Sequence, residues 1–271
     1  MLLPVAIFCV WWGGAAYVSL VAIGCLILGF EFLGMCGAAA SDAAWYWFPA
    51  GLAAIAACAG LGHAPAGLLL LVVLTVLGWV LPLRQAAAHG EAGNAAASVC
   101  IWDHKFNLAI GVPYLGLGAV ALPWLRADPW AGLANTLFAL AIVWGSDIGA
   151  YMVGRMVGGP RLAPAISPGK TWSGAAGGLV SAALAGLAVA ACLSSGFSPS
   201  HVIGLAIVLG IISQAGDLLE SALKRHFGVK DSGRIIPGHG GLLDRIDALL
   251  AVAPAAAVLA FTVGRGVVLW R

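Results

Sequence analysis

The chain has 271 residues, is 62% hydrophobic, and carries 13 Lys or Arg against 11 Asp or Glu. Soluble domains hold about 25% charged residues; the 9% here is too little to coat a water-exposed surface, and lipid is the natural solvent for most of the chain. A net charge of +2 excludes the strongly basic footprint of a nucleic-acid binder.

Apolar runs fall at about 15–33, 45–61, 66–83, 108–125, 130–153, 172–194, 201–222 and 247–269, behind a shorter apolar piece at 2–12. A crossing takes about 20 residues, so the pattern predicts an all-α, polytopic membrane protein of eight transmembrane helices. The piece at 2–12 reaches only about 16 Å at 1.5 Å per residue, and a ninth crossing requires Gly13-Gly14 to carry it on as a kinked helix. No basic residue precedes the first apolar stretch, which predicts that no signal peptide is cleaved. The cysteines at 9, 25, 36, 58, 100 and 192 show no C-x-x-C spacing and read as small apolar residues, not as a disulfide framework or zinc site.

Orientation follows the basic residues. Segments 154–171 and 223–246 carry eight Lys/Arg between them, whereas 195–200 is uncharged, so the two basic segments are expected to face the cytoplasm. Continuing the alternation puts 10 Lys/Arg inside and three outside, Arg126, Arg265 and Arg271. Gly174, Gly177 and Gly178 open one span, where small residues let membrane helices approach closely.

Residues 217–247 hold 10 of the 24 charges: Asp217, Glu220, Lys224, Arg225, Lys230, Asp231, Arg234, Asp244, Arg245 and Asp247. Asp217 and Glu220 lie on the last turns of an apolar helix, where an ionised carboxylate is costly unless it faces a polar cavity and a partner. Asp217, Glu220, Ser221 and Lys224 follow i, i+3, i+4, i+7 and share one helix face. Asp244 and Asp247 are three apart at the start of the last helix. Carboxylates that converge repel one another unless a cation lies among them, and oxygen ligands alone select a hard cation, Mg2+ before Zn2+. The alternative pairs these acids with Lys224, Arg225 and Arg245 as structural ion pairs.

Between the acidic ends, Pro237-Gly238-His239-Gly240-Gly241 exposes successive backbone N–H groups and lets a phosphate approach the main chain. His239 either orients that turn or transfers a proton. Upstream, Ser167, Lys170, Thr171 and Ser173 surround the N-terminus of the 172–194 helix, where the dipole favours anions; the spacing is not that of a Walker A loop. Asp147, inside the 130–153 helix, is followed by Tyr151 and Arg155 at i+4 and i+8, and is either a site residue or a structural one.

The run from Ser221 to Asp247 meets every fixed position of S-x-L-K-R-x4-K-D-x-G-x2-hydrophobic-P-x-H-G-G-x2-D-R-hydrophobic-D. It resembles the signature of the phosphatidate cytidylyltransferase (CDP-diacylglycerol synthase) family. Ser146-Asp147 with Tyr151 and Arg155, Ser167 to Trp172, and Gly216-Asp217-Leu218 with Glu220 resemble the family too. The likeness is strong over about 147–250; in the N-terminal half it rests on hydropathy, Glu31 and Tyr114. Two departures stand out: Ser173 occupies a place where many members have an acidic or amide residue, and the basic N-terminal segment of many members is missing.

The resemblance implies transfer of the cytidylyl group of CTP to phosphatidate, giving CDP-diacylglycerol and pyrophosphate, with Mg2+ and a possible second cation. It implies one integral membrane domain over 1–271, with 1–130 mainly scaffold and 131–271 the catalytic half, in the inner membrane with its site facing the cytoplasm. Asp217 and Asp244, then Asp247, are the expected metal ligands. Lys224, Arg225, Lys230, Asp231, Ser221 and His239 are the expected catalytic group. Lys170, Ser167, Thr171, Asp147, Arg155, Gly240, Gly241 and Arg245 are the expected substrate-binding group. CTP, phosphatidate and membrane lipid are the expected partners, with a homodimer as a further possibility. The rival readings are a CTP-using lipid kinase of the polyprenol or dolichol type and an ion- or proton-coupled transporter.

Overall fold

Helices form where the apolar runs lie, and their ends follow caps, glycines and charge. The computed structural model describes residues 2–81, 83, 107–194, 196–233, 235 and 240–271. Among them are α1 (Leu2–Trp12), α2 (Gly14–Met35), α3 (Ala44–Gly60), α4 (Ala64–Val80), α5 (Asn107–Arg126), α6 (Gly132–Val157), α7 (Trp172–Leu193), α8 (Pro199–His226) and α9 (Leu243–Val263). Six of them, α2 and α5 to α9, are long and apolar enough to cross a membrane. The other two apolar helices, α3 and α4, have 17 residues each and reach about 26 Å, short of the roughly 30 Å hydrocarbon core.

Between α1 and α2, Gly13 and Gly14 have φ of 70° and 52°, a break where a ninth crossing would need a continuous helix. The Arg126 guanidinium closes the end of α1, donating to the carbonyls of Val10 at 2.7 Å and Trp11 at 3.0 Å. Two helix ends extend past their apolar runs. The α8 helix continues to His226 with Lys224, Arg225 and His226 in its last turn, and α9 begins at Leu243 with Asp244 in its first turn. Both placements put charge where the helix dipole favours it.

The segment 154–171 is not wholly loop, and the all-α expectation needs one correction. Here β1 (Arg161–Ala163) and β2 (Ser167–Thr171) pair antiparallel, with Arg161 opposite Thr171 and Ala163 opposite Ser167. Pro160, Pro164 and Pro168 with Gly158, Gly159 and Gly169 deny this stretch a helix, and pairing satisfies its backbone instead.

Packing groups the residues into two compact units: 1–17, 124–221 and 247–271 in the first, 18–123 and 222–246 in the second. In the first, α6 and α7 meet along a glycine seam. A Cβ on Gly174 would stand 2.8 Å from the Ala150 carbonyl, and one on Gly178 would stand 2.9 Å from that of Ser146. The core holds Phe138, Ile142, Leu209 and Trp270, all fully buried. The last apolar run does not stay helical to 269: Gly264 and Gly266 have φ of 106° and 81°. The tail folds back, the Trp270 ring lies 4.7 Å from that of Phe138, and its indole N–H donates to the Ser194 hydroxyl at 3.0 Å. In the second unit the core gathers around Phe32, which packs on Phe48 and Phe227 at 5.9 Å each.

Candidate active site

In the first unit the α6–α7 connection delivers a lysine to the acidic end of α8. Thr171 is the N-cap of α7, its hydroxyl accepting the Gly174 N–H at 3.1 Å. The Ser173 hydroxyl donates to the Gly158 carbonyl, and Arg161 donates to the Gly169 carbonyl at 3.2 Å. The hairpin is thereby tied at both ends, and Lys170 projects from β2 with its ammonium 2.6 Å from Asp217 Oδ2. Asp147 lies within electrostatic range of Asp217 and Lys170, and Asp247 within range of all three. Of these carboxylates, Asp217 is the one in contact with the Lys170 ammonium. The Ala248 N–H donates to Asp247 Oδ1 at 2.8 Å.

The other expected residues of this unit are dispersed around that cluster. Arg155 is exposed, and its guanidinium donates to the Tyr151 hydroxyl at 2.8 Å. Ser167 and Ser221 are half-buried, and Glu220 is fully buried. Thr171 is buried and its oxygen is used as a cap.

In the second unit Asp244 is the hub. Its Oδ1 stands 2.8 Å from the Lys224 ammonium. Its Oδ2 accepts the N–H of Gly241 at 2.8 Å and that of Ser232 at 3.1 Å. Gly240 has φ 80°, and a Cβ there would lie 2.7 Å from Asp244 Oδ2; only glycine fits that backbone. Arg225 donates to the Val229 carbonyl at 3.3 Å, while Lys230, Asp231 and Arg245 are exposed. His239 lies outside the described residues.

Two contacts here were not expected from sequence. Asp217 takes Lys170, 47 positions away in the chain, as its ion partner and not one of the nearby cations. Glu31, near the end of α2 and 4% exposed, accepts the N–H groups of Leu242 at 2.8 Å and Leu243 at 2.9 Å. The available signal was a lone acid on an otherwise apolar helix; its partners are backbone groups, which composition cannot reveal.

Among the described residues, no group of three or more His, Cys, Asp or Glu side chains stands arranged to hold a metal ion. Asp217 and Asp244 offer carboxylate oxygens, the donor type a hard cation takes, but each is held in an ion pair with a lysine, at 2.6 and 2.8 Å, and for Asp244 with Lys224 this is the structural pairing that the sequence offered as the alternative.

Each unit thus carries a charged cluster on helices apolar enough to cross a membrane, the arrangement of a polytopic membrane protein. The family model for the cytidylyltransferase family matches residues 1–263, and the chain belongs to that family. It is 51% identical over 163 residues to proteins named phosphatidate cytidylyltransferase from Brucella suis biovar 1 and Brucella melitensis biotype 1. It is 43% identical over 157 residues to one of the same name from Staphylococcus aureus strain COL. The matched stretch is 60% of this chain and 60% of each Brucella relative, and 58% of this chain and 59% of the Staphylococcus relative.

Proposed function

We propose that this protein transfers the cytidylyl group of CTP to phosphatidate, forming CDP-diacylglycerol and releasing pyrophosphate. The observation that carries this reading is that the ion pairs Lys170 with Asp217 and Lys224 with Asp244 join residues of the polar signature and of the upstream stretches that resemble the family, in a chain of the cytidylyltransferase family. The attacking group is the lipid's own phosphate, already largely ionised near neutral pH, so no strong general base is needed. The barrier lies in bringing two anions together and in the charge that develops on the leaving pyrophosphate.

The basic residues answer that need. Lys170, Lys224, Arg225 and Lys230 are proposed to bind the phosphates of CTP and lipid, and Arg155 and Arg245 belong to the same proposed group. Ser167, Ser221 and Thr171 belong to the same proposed binding group, as do Asp147, Asp231 and His239. Gly240 and Gly241 let the phosphate chain approach the backbone. Asp217 and Asp247 of the first unit and Asp244 of the second are the proposed Mg2+ ligands. A cation held by either set of carboxylates would offset the charge on the reacting phosphates. Lys170 and Lys224 would supply ammonium groups to phosphate oxygens.

The rest of the proposal concerns setting. Eight crossings result if α3 and α4, each of 17 residues, span with the six longer helices. The basic segments then lie on the cytoplasmic face of the inner membrane, where CTP is supplied and phosphatidate enters laterally with its tails in lipid. A second cation and a homodimer belong to the same expectation.

The test is substitution of Asp217 by Asn in membranes containing the full chain. CTP-dependent formation of CDP-diacylglycerol should be lost at unchanged protein level; near-normal turnover would remove Asp217 from the site. Identification of the co-product separates the rival kinase, which would leave CDP and not pyrophosphate.

A further inference from the structure

The N-terminus of α9 cannot cap itself. Its first N–H groups need acceptors, yet the residues before it are Gly240, Gly241 and Leu242, none with an oxygen in its side chain. Nor can the glycines be exchanged for a capping residue. Gly240 has a positive φ, and a Cβ on Gly241 would stand 2.8 Å from both carboxylate oxygens of Glu31. A Cβ on Gly233 would stand 2.8 Å from Glu31 Oε1. The cap therefore comes from 211 positions away in the chain: Glu31 Oε1 accepts from Leu242 and Oε2 from Leu243, at 2.8 and 2.9 Å.

We infer that Glu31 is a positioning residue for the reaction proposed above, holding Gly240–Asp244 in the conformation that presents the Gly241 N–H and the Asp244 carboxylate. Each oxygen of Glu31 takes one of two successive N–H groups, which fixes the rotation of the first turn of α9 and hence the direction of Asp244. The negative charge is set against the positive end of the helix dipole, so Leu242 and Leu243 are closed to substrate phosphate. Phosphate recognition in this unit then falls to the cations already proposed for it, Lys224, Arg225 and Lys230, and not to these two N–H groups. Glu31 touches no reacting atom; it acts through Asp244 and the glycine turn.

The inference rests on the cytidylyltransferase reading for its catalytic part only, and the experiment separates the two. In Glu31→Gln, one oxygen becomes an NH2 that meets a backbone N–H donor to donor. Hydrogen–deuterium exchange on the full chain in detergent should then quicken at Leu242 and Leu243, by about 10-fold or more, while peptides of α6 and α7 keep wild-type exchange. With CTP, phosphatidate and Mg2+, kcat should fall about 10- to 100-fold, the range for partners that orient a metal ligand. The Mg2+ concentration for half-maximal rate should rise, and KM for phosphatidate should stay within about 3-fold. Glu31→Asp, which keeps the charge but draws the carboxylate back by one methylene from both N–H groups, should give the same exchange change and serves if Glu31→Gln folds poorly. Unchanged exchange at Leu242 and Leu243 in both variants overturns the inference. So does altered exchange with wild-type kcat and Mg2+ dependence. An inactive wild type whose exchange still responds to Glu31→Gln would instead overturn the cytidylyltransferase reading and leave the capping role of Glu31 standing.

Discussion

Removing the Lys224 ammonium and the Asp244 carboxylate singly and together tests whether this pair organises its unit. The two are 2.8 Å apart with side chains 14% and 11% exposed, so either single change takes this ion partner from a mostly buried charge, at a cost of up to about 3–5 kcal/mol. Asp244→Asn should cost more than Lys224→Met, because Oδ2 also accepts the N–H groups of Gly241 and Ser232 and an NH2 in that place would oppose them. In the double variant both members of the ion pair are gone. The coupling should be about 2 kcal/mol, within the range for residues in contact and equal to roughly a 30-fold change in the unfolding equilibrium. Unfolding of the full chain in mixed detergent, followed by tryptophan fluorescence, measures all four corners of the cycle. Additivity to within about 0.5 kcal/mol would refute the claim that the pair is an energetic unit.

Two further outcomes concern the first unit. Burial raises the Asp128 carboxyl, but this is outweighed by N–H groups of Ala131, Gly266 and Trp130 and by Arg265, so its pKa lies below the ordinary carboxylate value. A carboxylate with a depressed folded pKa stabilises above its unfolded pKa and loses that contribution as pH falls through the folded one. The thermal midpoint should therefore drop on the acid side, and Asp128→Asn should be less stable than wild type at neutral pH with a flatter acid limb; parallel profiles would contradict this. Thr171→Val removes the oxygen that accepts the Gly174 N–H and should lower stability by about 1 kcal/mol, with Thr171→Ser near wild type. If both variants melt alike, the hydroxyl is not the cap.

The helices were legible because each apolar run is long and continuous, and their positions agree with the sequence pattern for α2, α5 and α7. The apolar runs alone stopped short where charge begins, at 222 and 247, while the spacing of the polar residues already put Lys224 on the face of α8 and Asp244 at the start of α9, where both are found. The hairpin at 161–171 left no apolar alternation to read, since it is three and five residues long and rich in Pro and Gly. At the site, helical spacing identified the residues on α8 but not their partners. That Lys170 pairs with Asp217 depends on where β2 ends, and that Glu31 caps α9 depends on two backbone N–H groups. Tertiary contacts of this kind leave no periodic trace.

The most direct measurement uses purified full chain with phosphatidate, Mg2+ and CTP labelled on the α-phosphorus, following both label in the lipid phase and pyrophosphate in water. Cytidylyl transfer gives one pyrophosphate for each label that enters lipid, and neither signal with Asp217→Asn. Release of labelled CDP with no label in lipid, or no CTP turnover by the wild type, would contradict it.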